Sequence, residues 1–407
     1  MKCRHCASPL EHKLIDLDFA PASNAYLTAG HLNRPELHYP LRVLVCSSCW
    51  LVQTEDFADH GELFDSDYAY FSSTSTTWLA HAKAYTEKIV GRLALGAGSF
   101  VVELAANDGY LLQYFAAAGI PNLGVEPTRS TADAARSRGL RIVEEFFGEQ
   151  LGTDIRARDG AADLIIANNV LAHVPDINDF VAGIAALLGP EGTVTIEFPH
   201  LVNLLRENQF DTIYHEHFSY LGILSMQAIF AARGLRIYDV EKLPTHGGSL
   251  RVYACHRQAA HAPSAAVEAV VDEERSFGLD RIETYLGFQQ QARKIKHDLL
   301  AFLLQQQAAG KKVVAYGAAA KGNTLLNYAG VRGDLISMVA DAAPSKQGKF
   351  LPGSHIPIVT PQALLDSRPD YIIVLPWNLI DEVSQQLREA RQWGCKFVTC
   401  IPALKIM

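Results

Sequence analysis

Two cysteine pairs, Cys3-Arg-His-Cys6 and Cys46-Ser-Ser-Cys49, constrain the start of this chain more than any other feature. A two-residue gap lets one tight turn aim both thiolates at a single ion, and two such turns complete the tetrahedron that Zn²⁺ prefers. Four thiolates leave no open position for a substrate, so the expected metal is structural. It would fold a segment whose own core is too thin to stand alone. Disulfides are the alternative, but they need an oxidising compartment. The first residues hold no apolar stretch of the signal-peptide kind, and Cys255, Cys395 and Cys400 are scattered, so a reducing cytoplasm is expected.

At 407 residues the chain exceeds one ordinary core, and two or three domains are expected. Its 49% hydrophobic and 20% charged residues describe a globular protein, and no run has the length that crosses a bilayer. The net charge is −8, with basic residues dispersed. Nucleic acid wants a basic stripe to neutralise phosphates, so the RNA-binding reading that a zinc ribbon invites is set aside.

Pro21, Pro35 and Pro40 keep helix out of residues 1–60, where short strands and turns are expected around the cysteines. Trp78–Leu93 reads as a helix. From Ser99 onward the pattern changes, with expected strands at Phe100–Ala105, Leu123–Glu126, Arg141–Val143, Ala162–Ala167 and Thr193–Glu197. Their alternation with helical stretches predicts a parallel, doubly wound sheet. Ser249–Cys255 ends this unit, and residues 264–309 read as connecting helices. A second α/β unit follows, with strands at Lys312–Tyr316, Leu335–Ala340, Tyr371–Leu375 and Lys396–Cys400. The expected division is 1–70, 71–262 and 263–407.

The first unit carries a nucleoside pocket. Glu103 closes a buried strand, and Asn107-Asp108-Gly109 turns into a helix, the place where such sheets bind ligands. A dinucleotide fingerprint has three glycines for close approach to a pyrophosphate. Here Ala105 and Asn107 hold two of those places, which favours a phosphate-free ligand such as S-adenosylmethionine over NAD, the main rival. Glu126 ends the second strand, where it would take both ribose hydroxyls, and Asn168 and Asn169 end the fourth, opposite the methionine end.

The segment Asp211-Thr-Ile-Tyr214-His215-Glu216-His217-Phe-Ser-Tyr220 concentrates acid/base groups. Transfer to carbon needs a carbanion or enolate, so a base must remove a proton beside a carbonyl, and a histidine suits that role. A tyrosine hydroxyl can serve the enolate oxygen. His-Glu-His lacks the helical spacing of a zinc protease, so metal binding there is the weaker reading. His173 follows the fourth strand and can reach the same cleft.

Taken together, the four-cysteine module, Glu103–Gly109, Tyr214–Tyr220, His246-Gly-Gly-Ser249-Leu-Arg251 and Gly317-Ala-Ala-Ala-Lys321-Gly-Asn323 resemble the bacterial sugar C-methyltransferases of branched deoxysugar synthesis. The resemblance covers essentially the whole chain. It implies a zinc-binding module, a Rossmann-like class I methyltransferase domain and a second Rossmann-like domain that helps bind the nucleotide sugar. The implied reaction is S-adenosylmethionine-dependent methylation of a carbon, C-3 by expectation, next to the ketone of a dTDP-linked 4-keto-deoxysugar. It marks His217 as general base, with Tyr214, Glu216 and His173 supporting substrate or proton handling, and either Tyr68 or Tyr70 as a further tyrosine. A cytoplasmic monomer with neither nucleic-acid nor membrane partner is implied.

In the second unit, the small-residue turn lets a ligand approach backbone N–H groups, and Lys321 adds charge for a diphosphate; a turn that only packs is the alternative. His246, Ser249, Arg251 and Asn323 complete the expected substrate set. Two rival functions stay open: an oxygen or nitrogen methyltransferase of similar build, and a non-catalytic protein whose two Rossmann units only bind nucleotides.

Overall fold

The computed structural model describes residues 1–57 and 71–407. Tyr68 and Tyr70 therefore lie outside the described residues. Three antiparallel strands form the start: β1 (His12–Ala20), β2 (Tyr39–Val45) and β3 (Val52–Thr54). The turns at Cys3–Cys6 and Cys46–Cys49 bring four sulfurs within 4.8 Å of one another. Cys3 Sγ lies 3.6 Å from Cys49 Sγ and Cys6 Sγ 3.5 Å from Cys46 Sγ. A disulfide needs about 2.05 Å. Four thiolates at about 2.3 Å from one zinc lie about 3.8 Å apart, so the site fits the ion. Gln53 Nε2 donates to Cys3 Sγ at 3.2 Å, a neutral donor that steadies a thiolate.

Helix α1 (Thr76–Leu93), capped by the Ser75 side chain, leads into the central sheet. Its strands are β4 (Val101–Leu104), β5 (Asn122–Val125), β6 (Ile142–Val143), β7 (Ala162–Asn168) and β8 (Leu188–Pro199). In β7, Ile165 and Ala167 pack on one face while Leu164 and Ile166 pack on the other against α1. This two-sided burial is what a continuous apolar run encodes. The chain then leaves the sheet, and β9 (Ser219–Tyr220) pairs with β3 of the N-terminal sheet. It returns as β10 (Leu235–Leu243) and β11 (Ser249–His256), both ending in the central sheet. The strand order is β10-β11-β8-β7-β4-β5-β6.

The expected all-parallel sheet is corrected here: β11 runs antiparallel to β8 and to β10, because a turn of five residues joins β10 to β11 and permits only a hairpin. A parallel sheet with one antiparallel strand beside its edge is the class I methyltransferase arrangement.

Helices α2 (Ala265–Phe277) and α3 (Phe288–Ala308) connect to the last sheet. It contains β12 (Val313–Tyr316), helix α4 (Ala320–Ala329), β13 (Val339–Ala340), β14 (Ile358–Val359), β15 (Tyr371–Val374), β16 (Lys396–Thr399) and β17 (Lys405–Ile406), in the order β14-β13-β12-β15-β16-β17. The expected strand from Leu335 is paired only at Val339–Ala340. The first and last sheets share one core, in which Leu14, Ile15 and Val43 pack with Phe210, Leu299, Leu325 and Ile373. Among the described residues no helix is long and apolar enough to cross a membrane.

Zinc in such small modules is bound with about 10–16 kcal/mol of apparent free energy. Elemental analysis should therefore find one zinc per chain, and Cys46→Ser or a strong chelator should lower the unfolding midpoint. Because β3 carries β9, amide hydrogen exchange at Ser219 and Tyr220 should accelerate while β4 and β7 stay protected. Unchanged protection in zinc-free protein would refute the coupling.

Candidate active site

The carboxyl ends of β4, β5, β7 and β8, neighbours or near neighbours in the central sheet, carry the candidate cofactor residues. Three loop residues adopt positive φ there, Ala105 at 55°, Asn107 at 49° and Gly109 at 79°. A Cβ on Gly109 would sit 2.2 Å from Leu140 Cδ1, so both backbone and packing require glycine. Glu126 ties this loop down: Asn107 N donates to Oε2 at 2.9 Å and Thr128 N to Oε1 at 2.9 Å. Each oxygen of Glu126 thus already accepts a backbone N–H and keeps a further lone pair for a ligand hydroxyl. Asn107 Oδ1 accepts from Ser72 N at 2.9 Å, and Asp108 Oδ2 from the Ser73 hydroxyl. Arg138 donates to the Asp108 carbonyl at 2.7 Å. The two loop side chains thereby hold the stretch Phe71–Thr74 across the loop.

Glu103 is 1% exposed, and its Oε2 has no hydrogen-bond partner among the described residues. Burial, reinforced by the Glu126 and Asp108 charges, raises its pKa well above the usual carboxylate range. A cation beside it would return it to the ionised form. The buried Oδ1 of Asn168 and both amide atoms of Asn169 likewise lack partners. Buried polar groups are normally paired, so these ends of β4 and β7 suit a polar, cationic ligand. A sulfonium with an amino-acid tail fits that donor set.

Across the cleft lies the histidine-rich loop. His217 Nδ1 is 2.8 Å from the Thr212 carbonyl oxygen, which can only accept, so Nδ1 carries the proton. Nε2 is then a lone pair, and it accepts from the Tyr214 hydroxyl at 2.7 Å. The His173 ring meets His217 edge-on at 4.5 Å between centroids. Burial and the neighbouring His173 hold His217 well below the ordinary imidazole pKa, and burial takes His173 down to about 4. Glu216 turns away from His217 and accepts from Asn24 Nδ2 with both oxygens at 2.9 Å. His215 points to the Tyr39 and Pro40 carbonyls in the N-terminal sheet. The three side chains of His-Glu-His diverge, so they form no metal triad.

The Thr245–Gly248 turn forms a third wall. His246, at φ 54°, leans on Trp78 at 5.2 Å, and burial with the Lys321 charge lowers its pKa to about 4. Ser249 Oγ donates to the Thr245 carbonyl at 2.9 Å and shapes that turn. Arg251 is engaged inside the fold: its Nη2 is 2.6 Å from Glu197 Oε2 and its guanidinium lies over the Tyr85 ring at 4.3 Å. Asn323 is buried against the Ser23 carbonyl at 2.6 Å. Lys321, by contrast, faces Trp377 and Asn378 beside the histidines.

Sequence reasoning missed Trp377 and gave no role to Glu197 or to Asp211, which opens the ionisable segment. Glu197 carried the same signal as Glu103, an acid near the end of a buried strand. It is fully buried, accepts from Thr245 Oγ1 at 2.9 Å and lies 3.1 Å from His81 Nε2. Burial alone would raise its pKa; the His81 hydrogen bond and the Arg251 charge overcome that and hold it at about 2.

Three family models match in tandem: a zinc binding domain over residues 3–64, a methyltransferase domain over 78–240 and a C-methyltransferase C-terminal domain over 244–402. The C-methyltransferase NovU of Streptomyces niveus is 36% identical over 406 residues, spanning 100% of this chain and 96% of its own length. The chain belongs to the C-methyltransferase family. The family resemblance read from the sequence is borne out, and the non-catalytic alternative falls away. This C-methyltransferase uses S-adenosylmethionine and carries a four-cysteine zinc site.

Among solved structures, the PH0226 protein of Pyrococcus horikoshii OT3 is 15% identical with a TM-score of 0.38, over 49% of this chain and 99% of its own. Magnesium protoporphyrin IX methyltransferase of Synechocystis PCC 6803 with bound SAM is 15% identical with a TM-score of 0.33, over 44% of this chain and 81% of its own. The assignment rests on the full-length relative.

Removing one partner of a buried ion pair typically costs about 3–5 kcal/mol. Arg251→Met in the C-methyltransferase should lose stability on that scale in urea titration. Because the Glu197 pKa is depressed, its contribution is fully present above the usual carboxylate value and is lost as pH falls towards about 2. Arg251→Met should flatten that part of the acid denaturation profile, and an unchanged profile would show the pair to be inert.

Proposed function

We propose that this C-methyltransferase acts on a nucleotide-linked 4-keto-deoxysugar, with C-3 of a dTDP sugar as the reacting carbon and His217 as the base. The observation that carries the reading is the fixed tautomer of His217, with Nδ1–H spent on the Thr212 carbonyl and the single Nε2 lone pair held by the Tyr214 hydroxyl, which must swing aside when substrate binds. A base whose pKa is held low stays unprotonated at neutral pH. When bound, S-adenosylmethionine supplies an electrophilic methyl group on its sulfonium.

The chain's own residues divide the remaining work. Glu103, Asn107, Asp108, Gly109, Glu126, Asn168 and Asn169 cradle the methyl donor. With the Tyr214 hydroxyl turned aside, His217 Nε2 takes the proton from the sugar carbon beside the ketone, and the Tyr214 oxygen then accepts from the new Nε2–H. His173 walls the imidazole and keeps it dry. Glu216, held by Asn24, fixes the loop against the N-terminal module. His246 and Lys321 face the sugar, whereas Ser249, Arg251 and Asn323 hold those two in position. The division at 1–70, 71–262 and 263–407 is kept, with the sugar nucleotide between the second and third units, and the enzyme is taken as a cytoplasmic monomer.

An oxygen or nitrogen acceptor would need no carbon acid, and for it His217 would be dispensable. Incubation with a dTDP-4-keto-6-deoxyhexose and S-adenosylmethionine should give a product carrying a methyl group on carbon by NMR. His217→Asn should lower kcat by about 10²–10⁴-fold while calorimetric binding of S-adenosylhomocysteine is retained. Because the neutral imidazole is the active form and its pKa is depressed, kcat should rise with pH through a midpoint below the ordinary 6.5. Full activity of His217→Asn, or methylation only at oxygen, would reject the reading.

A further inference from the structure

We propose that Lys321 is a catalytic residue that binds the enolate oxygen, in place of the diphosphate-binding role its turn suggests in the sequence. The inference rests on the sugar-enolate reading above.

Lys321 and Thr324 lie three residues apart on α4 and so share a face. Thr324 Oγ1 donates to the Ile213 carbonyl at 2.8 Å, directly before Tyr214. The face that carries Lys321 is therefore docked on the histidine-rich loop, one turn from the base. The ammonium lies 4.8 Å from the centre of the Trp377 ring and 3.0 Å from Asn378 Oδ1. Trp377 is wedged into the same wall: a Cβ on Gly247, next to His246, would lie 2.4 Å from its ring. Its Nε1 donates to Asp211 Oδ2 at 2.8 Å, and Asp211 immediately precedes Thr212, whose carbonyl fixes His217.

The charge balance of this corner selects the ligand. Lys321 donates to Asn378 and, among the described residues, no salt bridge is formed by it; burial lowers its pKa and the Asp211 charge opposes that shift. Its field lowers both His217 and His246, and Asp211, fully buried and without a partner for Oδ1, is pushed up to about 6 by burial. An ammonium next to the base opposes formation of an imidazolium, and Asp211 offsets that charge from a distance too great for a salt bridge. An anion that arises between the two groups at the moment of proton transfer removes that opposition.

The sugar C–H proton passes to His217 Nε2, the C–H pair becomes the enolate C=C bond, and the carbonyl π pair moves to oxygen, which the Lys321 ammonium receives. That oxygen pair then re-forms the ketone as the carbon takes the methyl, and the C–S pair remains on sulfur.

Lys321→Met removes the charge without enlarging the side chain. With dTDP as the probe, its Kd by calorimetry should stay within about threefold of wild type. Both C-3 deuterium exchange in D₂O and kcat should fall about 10²–10³-fold, as when one oxyanion donor is lost. The acid limb of the residual kcat should move to higher pH, since the cation beside His217 is gone. Lys321→Arg, which keeps charge, should recover part of the exchange and separates chemistry from folding. A tenfold weaker dTDP affinity with kcat preserved would assign Lys321 to the diphosphate and overturn the proposal, as would wild-type exchange in Lys321→Met. If wild type itself neither exchanges nor methylates any nucleotide sugar, the sugar reading fails first and takes this one with it.

Discussion

The antiparallel pairing of β3 with β9 makes the rest of the site possible. β9 begins two residues after His217, and its partner strand follows directly on the second cysteine pair. Thr54 adds two bonds to the same place, its amide to the Phe218 carbonyl at 3.1 Å and its hydroxyl to the His217 carbonyl at 3.1 Å. A loop of this length on the surface of a doubly wound sheet would ordinarily be mobile. Here it is built into a second sheet, and that sheet is knotted by four thiolates. The zinc site is thus remote from His217 in sequence yet one strand away from it in space.

Desolvation then sets the ionisation of nearly every group in the cleft. It lifts Glu103 and Asp211, and it lowers His173, His217 and His246. Groups driven towards neutrality by burial respond strongly to a ligand of complementary charge, because the interaction is felt at low dielectric. Glu197 is the exception that the fold has already paired, with Arg251 and His81 around it. Its role is to hold α1, the Thr245 turn and β11 together, which keeps Trp78 of α1 against His246 of the turn.

Much of this was legible from the chain. Cysteine spacing foretold the four-sulfur cluster, buried apolar runs foretold β4, β5, β7 and β8, and the density of ionisable residues marked the loop in which Tyr214 is hydrogen-bonded to His217. β10 was missed although Leu235–Leu243 alternates, because a register shift between Ile237 and Asp239 breaks its period of two. The direction of β11 depends on a hairpin turn and could not be read from its apolar content. Glu126 was seen as a ligand acid but not as the clamp of its own loop, since hydrogen bonds to backbone N–H leave no pattern in sequence. Asp211 and Trp377 meet across 166 residues, and only the docking of the last sheet on the first brings them together. Arg251 was expected to face substrate, and the neighbouring Glu197, which neutralises it, was not considered.

The central claim is that His217 forms a carbanion equivalent at a sugar carbon. It is tested most directly by following deuterium entry at C-3 of a dTDP-4-keto-6-deoxyhexose in D₂O, with S-adenosylhomocysteine in place of the methyl donor. The account predicts enzyme-dependent incorporation in wild type and none above background in His217→Asn. Incorporation at an undiminished rate in His217→Asn would contradict it.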